Sequence, residues 1–336
     1  MWGDHMEDID TISSITQIPG ILAGHATNAQ AATGCTVIIC PAGATGAVDV
    51  RGGAPASRET DLLRPEETVQ TLDAVVLAGG SAFGLAASCG VAEELERRGI
   101  GVDVGVGVVP IVSGACVFDL TCGSSHIRPS SEDGVKAVRE AFERAGQPLE
   151  RGNVGAGTGC SVGKAAGLTR AMKGGLGEDV ICAGNLICGA VAAVNALGDV
   201  VDPQTGKTIA GLTSEDGGTL LNSIDFIVHM QGETRFARNH LGPRTNTTIS
   251  CVVTNAKLSK AEATKVAQMS ADAYAHAIRP THTTNDGDTV FVMATGDVMA
   301  PTDIVGALAV RALEGAITDA VRQADSAYGL KAAKDF

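Results

Sequence analysis

Aromatic side chains make up only 3% of this 336-residue sequence and Trp2 is the sole tryptophan, so a base-stacking platform for nucleic acid is excluded. Positive charge is also in short supply. Lys and Arg total 25 against 38 Asp and Glu, a net charge of −13. A chain this acidic is a poor partner for nucleic acid or an anionic membrane, where phosphate neutralisation supplies the affinity. No CxxC occurs, and the nine cysteines are odd in number and lie mostly in apolar stretches, which argues against a disulfide framework or a zinc site. They read as small buried hydrophobes in a reducing cytoplasm. The first fifteen residues are acidic where a secretory leader is basic. No repeat, low-complexity tract or Pro/Ser-rich linker divides the chain. One unit over residues 1–336 is therefore expected, with 1–15 a flexible N-terminus.

What is plentiful is apolar residues and glycine. A hydrophobic fraction of 44% excludes wholesale disorder. Glycine stands at 43 residues, nearly twice the usage of roughly 7% in ordinary proteins, so an isolated glycine-rich motif carries little weight here. Two uncharged windows, Ala74–Ala92 and Val180–Gly198, are 19 residues long, close to membrane-spanning length. The first is interrupted by Gly79-Gly80-Ser81 and the second carries Asn185 and Asn195. Strand–turn–helix and strand–turn–strand segments in a packed core are the better reading of both.

Apolar, β-branched runs predict strands at Cys35–Cys40, Ala47–Val50, Ala74–Leu77, Val104–Val112, Ile187–Val194, Ile224–His229, Thr247–Asn255 and Thr289–Ala294. Helical spacing predicts helices over 84–98, 132–145, 259–278 and 302–324. Gly146 suits a left-handed C-cap, and Ser259-Lys260-Ala261-Glu262 is a capping-box pattern with Ser259 as N-cap. Strands and helices alternate loosely, which predicts an α/β protein with helices layered over packed sheets.

Several familiar patterns fail. The stretch Gly155–Lys164 resembles a phosphate loop, but Thr158 and Ala165 stand where that loop needs glycine and a hydroxyl residue. Gly159-Cys160-Ser161-Val162-Gly163 is formally a serine elbow, yet no hydrophobic strand precedes it, and His229, His240, His276 and His282 show no distinguishing pattern. Asn285-Asp286-Gly287-Asp288 echoes a calcium loop whose later acidic ligands are missing. No metal and no cofactor is expected.

What remains is Thr245-Asn246-Thr247-Thr248-Ile249-Ser250-Cys251-Val252-Val253, a polar approach running straight into an apolar strand. Four further stretches accompany it: Arg51-Gly52-Gly53-Ala54-Pro55 with Arg58-Glu59-Thr60-Asp61, Leu77–Leu85, Gly155–Gly159 with Gly163-Lys164, and Asn285–Thr289. In this order they resemble the L-aminopeptidase/D-Ala-esterase/amidase family, which includes β-peptidyl aminopeptidases and endo-type 6-aminohexanoate (nylon) oligomer hydrolases. The resemblance spans roughly residues 18–325 and is nearest the threonine-dependent nylon-oligomer branch.

The resemblance implies an αββα sandwich of the N-terminal-nucleophile-hydrolase type, made as an inactive precursor that cuts itself before a Ser or Thr. Here the bond would be Asn246–Thr247, giving an α chain of residues 1–246 and a β chain of 247–336 that stay associated, in a tetramer of αβ units. It implies catalytic roles for Thr247, Asp286, Asp288, Lys164 and Asn195, the last holding the oxyanion, and a substrate pocket near Gly80, Ser81 and Phe118. Phe118 stands where characterised members carry tyrosine, so no phenolic hydrogen bond is available there. The substrate would be a small amide or peptide. Chemistry agrees on the nucleophile. A threonine hydroxyl needs a base, and cleavage frees an α-amine whose reference pKa of about 7.7–8 suits a proton relay. Asp286 and Asp288, one residue apart on an extended segment, would point the same way and reach one site. Two rivals stand beside this reading: a serine hydrolase using Ser161, and an uncut, non-catalytic ligand-binding protein of the same fold.

Overall fold

A computed structural model describes residues 12–232 and 246–336. Two β-sheets are stacked in it and share one strand. The first contains β1 (Leu22–Asn28), the front half of β2 (Thr33–Val50), β3 (Leu72–Ala78) and β4 (Val112–Cys116), with the short strand Ser57–Arg58 at its edge. The second runs β5 (Gly175–Ala183), β6 (Leu186–Asn195), β7 (Thr247–Ala256), β8 (Thr289–Val298) and the rear half of β2. The runs Cys35–Cys40 and Ala47–Val50 are thus one strand of 18 residues rather than two. Its register with β3 shifts between Ile39 and Ala44, and from Thr45 onward the strand pairs with β8 instead.

Side-chain alternation builds three apolar layers. In β3, Val75 and Leu77 face the second sheet's Val191, Ala193, Ile249, Cys251, Val253, Phe291 and Met293. Ala74, Val76 and Ala78 face outward onto α1 (Ala87–Arg97) and α2 (Ser131–Glu143), against Val91, Leu95, Ala137 and Ala141. On the far side, Ala190, Ala192, Val252, Val290 and Val292 pack under the C-terminal helices. The result is the expected helix–sheet–sheet–helix order. Both 19-residue windows resolve as predicted: one is β3, a turn and the start of α1, the other the hairpin of β5 and β6. No helix among the described residues is long and apolar enough to cross a membrane.

Four expectations need correcting. Ile224–His229 is not a strand but lies within α3 (Ser223–Gly232). Asn222 Oδ1 accepts from the Ile224 and Asp225 N–H groups at 2.8 and 3.1 Å, and Asp199 holds Ser223 through N–H and hydroxyl. This N-terminal capping outweighs the β-propensity of a run whose Ile224 and Val228 stay exposed. The helix predicted over 259–278 breaks at Ala271 into α4 (Lys260–Ser270) and α5 (Asp272–Ala277). Ser270 Oγ donates back to Val266 O at 2.8 Å, a bond that competes with helix propagation. Val104–Val112 is a small hairpin, Val102–Asp103 with Val108–Val109, followed by β4. Of the cysteines, all nine free, Cys89 and Cys182 are exposed and Cys122 is half-buried; the other six are buried, and burial pushes Cys35 and Cys160 up to about 12.

Other readings hold. Ser259 caps α4, exchanging bonds with Glu262 at 2.8 and 3.3 Å, and Gly146 is left-handed at φ +76°. In α6 (Thr302–Gln323) Leu313, Ile317 and Val321 are buried as the spacing requires, while Ile304 in the first turn is exposed. α6 lies so close to β5 that a Cβ on Gly177 would stand 2.2 Å from Ala316 O, which explains glycine there. Residues 1–11 of the expected flexible N-terminus lie outside the described residues. Ser14 and Ile15, within it, are buried, their hydroxyl and N–H both donating to Glu178 Oε2 at 3.0 Å.

Candidate active site

The register of the second sheet assembles the site. Antiparallel pairing of β6 with β7 sets Asn195 opposite Thr247. Parallel pairing of β7 with β8 sets Ile249 beside Thr289, and a bridge joins Asn246 to Asp286. Three chain segments therefore meet at one sheet end: the last residue of β6, the first of β7, and the turn leading into β8.

Alternation assigns faces. Thr247 follows the odd positions Ile249, Cys251 and Val253 toward the inter-sheet side, and Asn195 follows Val191 and Ala193 to the same side. Thr247 is buried, and its Oγ1 donates to Asn246 O, the carbonyl of the bond just before it. The Gly287 N–H donates to that same oxygen at 3.2 Å. A Cβ on Gly287 would stand 2.9 Å from Thr247 Oγ1, so glycine is what allows the approach.

Asn195 is wholly buried. Its Oδ1 accepts from Ser161 N at 3.0 Å and from Lys164 Nζ at 2.9 Å, and its Nδ2 donates to Phe118 O at 2.9 Å. Lys164 Nζ also donates to Asn195 O at 2.8 Å. The turn holding this lysine is fixed by main-chain bonds from Gly163 and Lys164 to Gly198 O and Leu197 O, both 2.9 Å. Part of its stem reaches the surface, yet burial of the ammonium pushes it down to about 7, against the opposing pull of Cys160 and Asp286.

The two aspartates divide. Asp288 continues the even register of Val290 and Val292, on the helix-covered side. Its carboxylate takes four donors: Thr248 N at 2.7 Å on Oδ1, and Thr281 Oγ1, His282 N and His282 Nδ1 at 2.9, 3.0 and 3.0 Å on Oδ2. Asp286 accepts from Thr283 N at 2.7 Å, and burial, then the Asp288 charge, pushes it up to about 6. Thr247 Oγ1 itself donates to Asn246 O rather than to either carboxylate. Asp288 grips the main chain at Thr248.

Phe118 joins the cluster through its carbonyl. The next residue, Asp119, accepts from Gly80 N at 2.7 Å and Thr33 Oγ1 at 2.6 Å, which ties the Gly80–Ser81 turn to the segment carrying Phe118. Ser161 lies in a two-residue strand paired with Lys173, not on a strand-to-helix elbow, and its Oγ faces Asn195 Oδ1 at 3.4 Å. Sequence reasoning missed Gly287, His282 and Asp119. The only hint of His282 was its position in the polar run Thr281–Thr284 just before the aspartates.

Residues 13–334 match Peptidase family S58. The chain belongs to that family. Among S58-like relatives it is 41% identical over 327 residues to an uncharacterized aminopeptidase of Mycobacterium leprae (strain TN), covering 94% of this chain and 87% of that one. It is 32% identical over 288 residues to the 6-aminohexanoate-oligomer endohydrolase of Paenarthrobacter ureafaciens, covering 84% and 75%. Its fold is that of the L-aminopeptidase D-Ala-esterase/amidase of Ochrobactrum anthropi, described as a variant of the Ntn-hydrolase fold, with TM-score 0.65, 16% identity, and coverage of 95% and 90%. A β-aminopeptidase of Burkholderia sp. gives TM-score 0.62 at 21% identity, with the same coverage. As an S58 peptidase the protein is an amide-bond hydrolase.

Proposed function

We propose that this S58 hydrolase matures by cutting its own Asn246–Thr247 bond and then uses Thr247 as an N-terminal nucleophile. The observation that carries the reading is the setting of the Asn246 carbonyl: its oxygen receives both Thr247 Oγ1 and the Gly287 N–H. In maturation, Thr247 Oγ adds to the Asn246 carbonyl carbon, and the negative charge grows on the oxygen that Gly287 already contacts. The hydroxyl proton passes to a neighbouring base and on to the Thr247 nitrogen as the C–N bond breaks, leaving an ester. Water then splits the ester into the Asn246 carboxylate and a Thr247 bearing free amine and hydroxyl.

In turnover the new amine accepts the Oγ proton while Oγ attacks the substrate carbonyl. Asn195 and backbone N–H groups hold the oxyanion, the leaving amine takes the proton, and water releases the acyl group. Lys164 and Asp286, brought toward neutrality from opposite sides, are the groups able to exchange protons beside Thr247. Asp288, saturated with donors, orients.

The substrate is read as a small amide or peptide, and the site as cytoplasmic. The β chain would stay with the α chain, because β7 and β8 lie between β6 and β2 in one sheet; the assembly is read as a homo-oligomer, a tetramer of αβ units. Denaturing electrophoresis of fresh protein tests the cut. Scaling 34.0 kDa by chain length gives bands of about 25 and about 9 kDa, the smaller beginning Thr-Thr-Ile-Ser. A persistent full-length band with full amidase activity would end the reading. Assay against an L-aminoacyl anilide, a β-dipeptide, D-alanine amide and a 6-aminohexanoate oligomer then sorts the substrate class.

A further inference from the structure

The turn before β8 contains a histidine that the chemistry above leaves unused. His282 adopts φ +55°, left-handed backbone unusual for a non-glycine residue and kept only where the surroundings over-determine it. Here they do. Its main-chain N–H and its Nδ1 both reach Asp288 Oδ2 at 3.0 Å, and its Nε2 lies 3.4 Å from Ala271 O. Its ring rests 5.4 Å from that of Tyr274, at 38°. The Tyr274 hydroxyl in turn bridges Thr248 O at 3.2 Å, Thr289 O at 3.1 Å and Ser250 Oγ at 2.9 Å, stitching β7 to β8 from the helix side.

Both imidazole nitrogens face oxygen acceptors, so the doubly protonated ring is the form that satisfies both. The charged and titratable groups around it are Asp288, the Tyr274 phenol and, opposing protonation, the Arg51 guanidinium, itself paired with Asp49 and Asp272. Burial also opposes protonation, but the hydrogen bond and charge of Asp288 win, and the pKa is raised.

We propose that His282 is a positioning residue for the nucleophile: as an imidazolium it pins Asp288, and Asp288 pins the Thr248 N–H, in the peptide that joins Thr247 to its strand. The proposal rests on the Thr247 reading. In the uncut chain Thr247 is held from both sides. After the cut its one covalent tether is the Thr248 peptide, beside the β-pairing with Asn195, and a strand end so released frays unless tied. The clamp therefore matters more for turnover than for maturation. As pH rises through the raised His282 pKa, the neutral ring can serve only one of its two acceptors, and the nucleophile loosens.

The experiment uses the full chain and the amide most rapidly cleaved in the substrate panel. His282→Gly removes the ring and eases the backbone. It should lower kcat roughly tenfold to a hundredfold, the scale of small misplacements of reacting groups, with KM and the rate of precursor loss changed less. His282→Asn keeps a donor, tolerates left-handed backbone and does not titrate. It should retain most activity at neutral pH and lose the alkaline fall in kcat expected of wild type. Should His282→Gly fail to fold, the His282→Asn profile decides alone. Wild-type kcat in His282→Gly, or an unchanged alkaline limb in His282→Asn, overturns the proposal while wild-type cleavage proceeds. A wild-type chain that stays at 34.0 kDa marks the failure of the Thr247 reading instead, and the proposal falls with it.

Discussion

On its inter-sheet side Thr247 meets Asn195 and, through it, Lys164, Ser161 and the Phe118 carbonyl; on the helix-covered side the neighbouring groups are Asp288, His282, Tyr274 and Thr248. The inner group contains Asn195, proposed above to hold the oxyanion, and a lysine pushed down to about 7. The outer group is a closed set of hydrogen bonds in which a carboxylate with four donors grips main chain. On the proposed mechanism one strand would thus separate proton exchange from positioning, because successive side chains point to opposite faces. Asp286, in the turn, interacts electrostatically with both groups, with Asp288 and with Lys164.

The comparison breaks most decisively at Thr247. Thr247→Ala should leave a folded, uncut and inactive chain, whereas Thr247→Ser should keep some cleavage; a Thr247→Ala chain that is still cut before residue 247 removes the nucleophile from the scheme. Next come the inner side chains. Asn195→Ala should slow turnover by roughly 10²–10³-fold, the loss found for an oxyanion donor, and Lys164→Met by at least roughly 10²-fold, both read as kcat on a small amide. If these losses fall below that of Asp288→Asn, the division between faces is wrong.

A pH series sharpens the division further. Proton acceptors work only when deprotonated, so precursor loss should speed up as pH rises through about 6 and about 7, the values to which Asp286 and Lys164 are brought. The two titrations are coupled to their neighbours, so the observed midpoints belong to the cluster. Asp286→Asn should delete the lower step and leave the upper. Stability carries the opposite sign. Folding raises Asp286 above its ordinary value, so the native state binds the extra proton and loses stability as pH climbs from about 4 to about 6. In an uncut Thr247→Ala background, Asp286→Asn should remove that part of the fall in melting temperature. The smallest effect belongs to Ser161→Ala, which forfeits one long contact to Asn195 and should change turnover by a few-fold at most. Abolished turnover in a folded Ser161→Ala protein would restore the serine-elbow reading.

Much of the architecture was readable from residue pattern alone. Alternation in Ala74–Leu77 marked a two-faced strand, Ser259 and Gly146 marked helix ends, and the polar run before Ile249 marked where a strand begins at a site. What was not readable depends on partners distant in sequence. α3 starts at the local cap Asn222, which the strand reading passed over, and is held as well by Asp199, 24 residues away, which accepts from Ser223. The unity of β2 depends on a change of partner that only the folded sheets supply. Lys164 and Asn195 meet across 31 residues and stood out only through family resemblance. For the aspartates, a spacing of two implies a shared face but not which face. Only the parallel register with β7 turns Asp288 toward Thr248 and leaves Asp286 in the turn.

The order β6-β7-β8-β2 has a consequence for the history of the molecule. A cut at Asn246–Thr247 would leave two chains interleaved within one sheet, each supplying strands that the other flanks. Before the cut, refolding is a search by one chain. Afterwards it becomes an encounter between two, dependent on concentration and opposed by the entropy of bringing separate molecules together. The covalent precursor would then act as its own template, used once. Mature enzyme denatured at low concentration should not regain activity, whereas uncut Thr247→Ala chain treated alike should recover its fold, and the two would differ in reversibility while sharing nearly every contact.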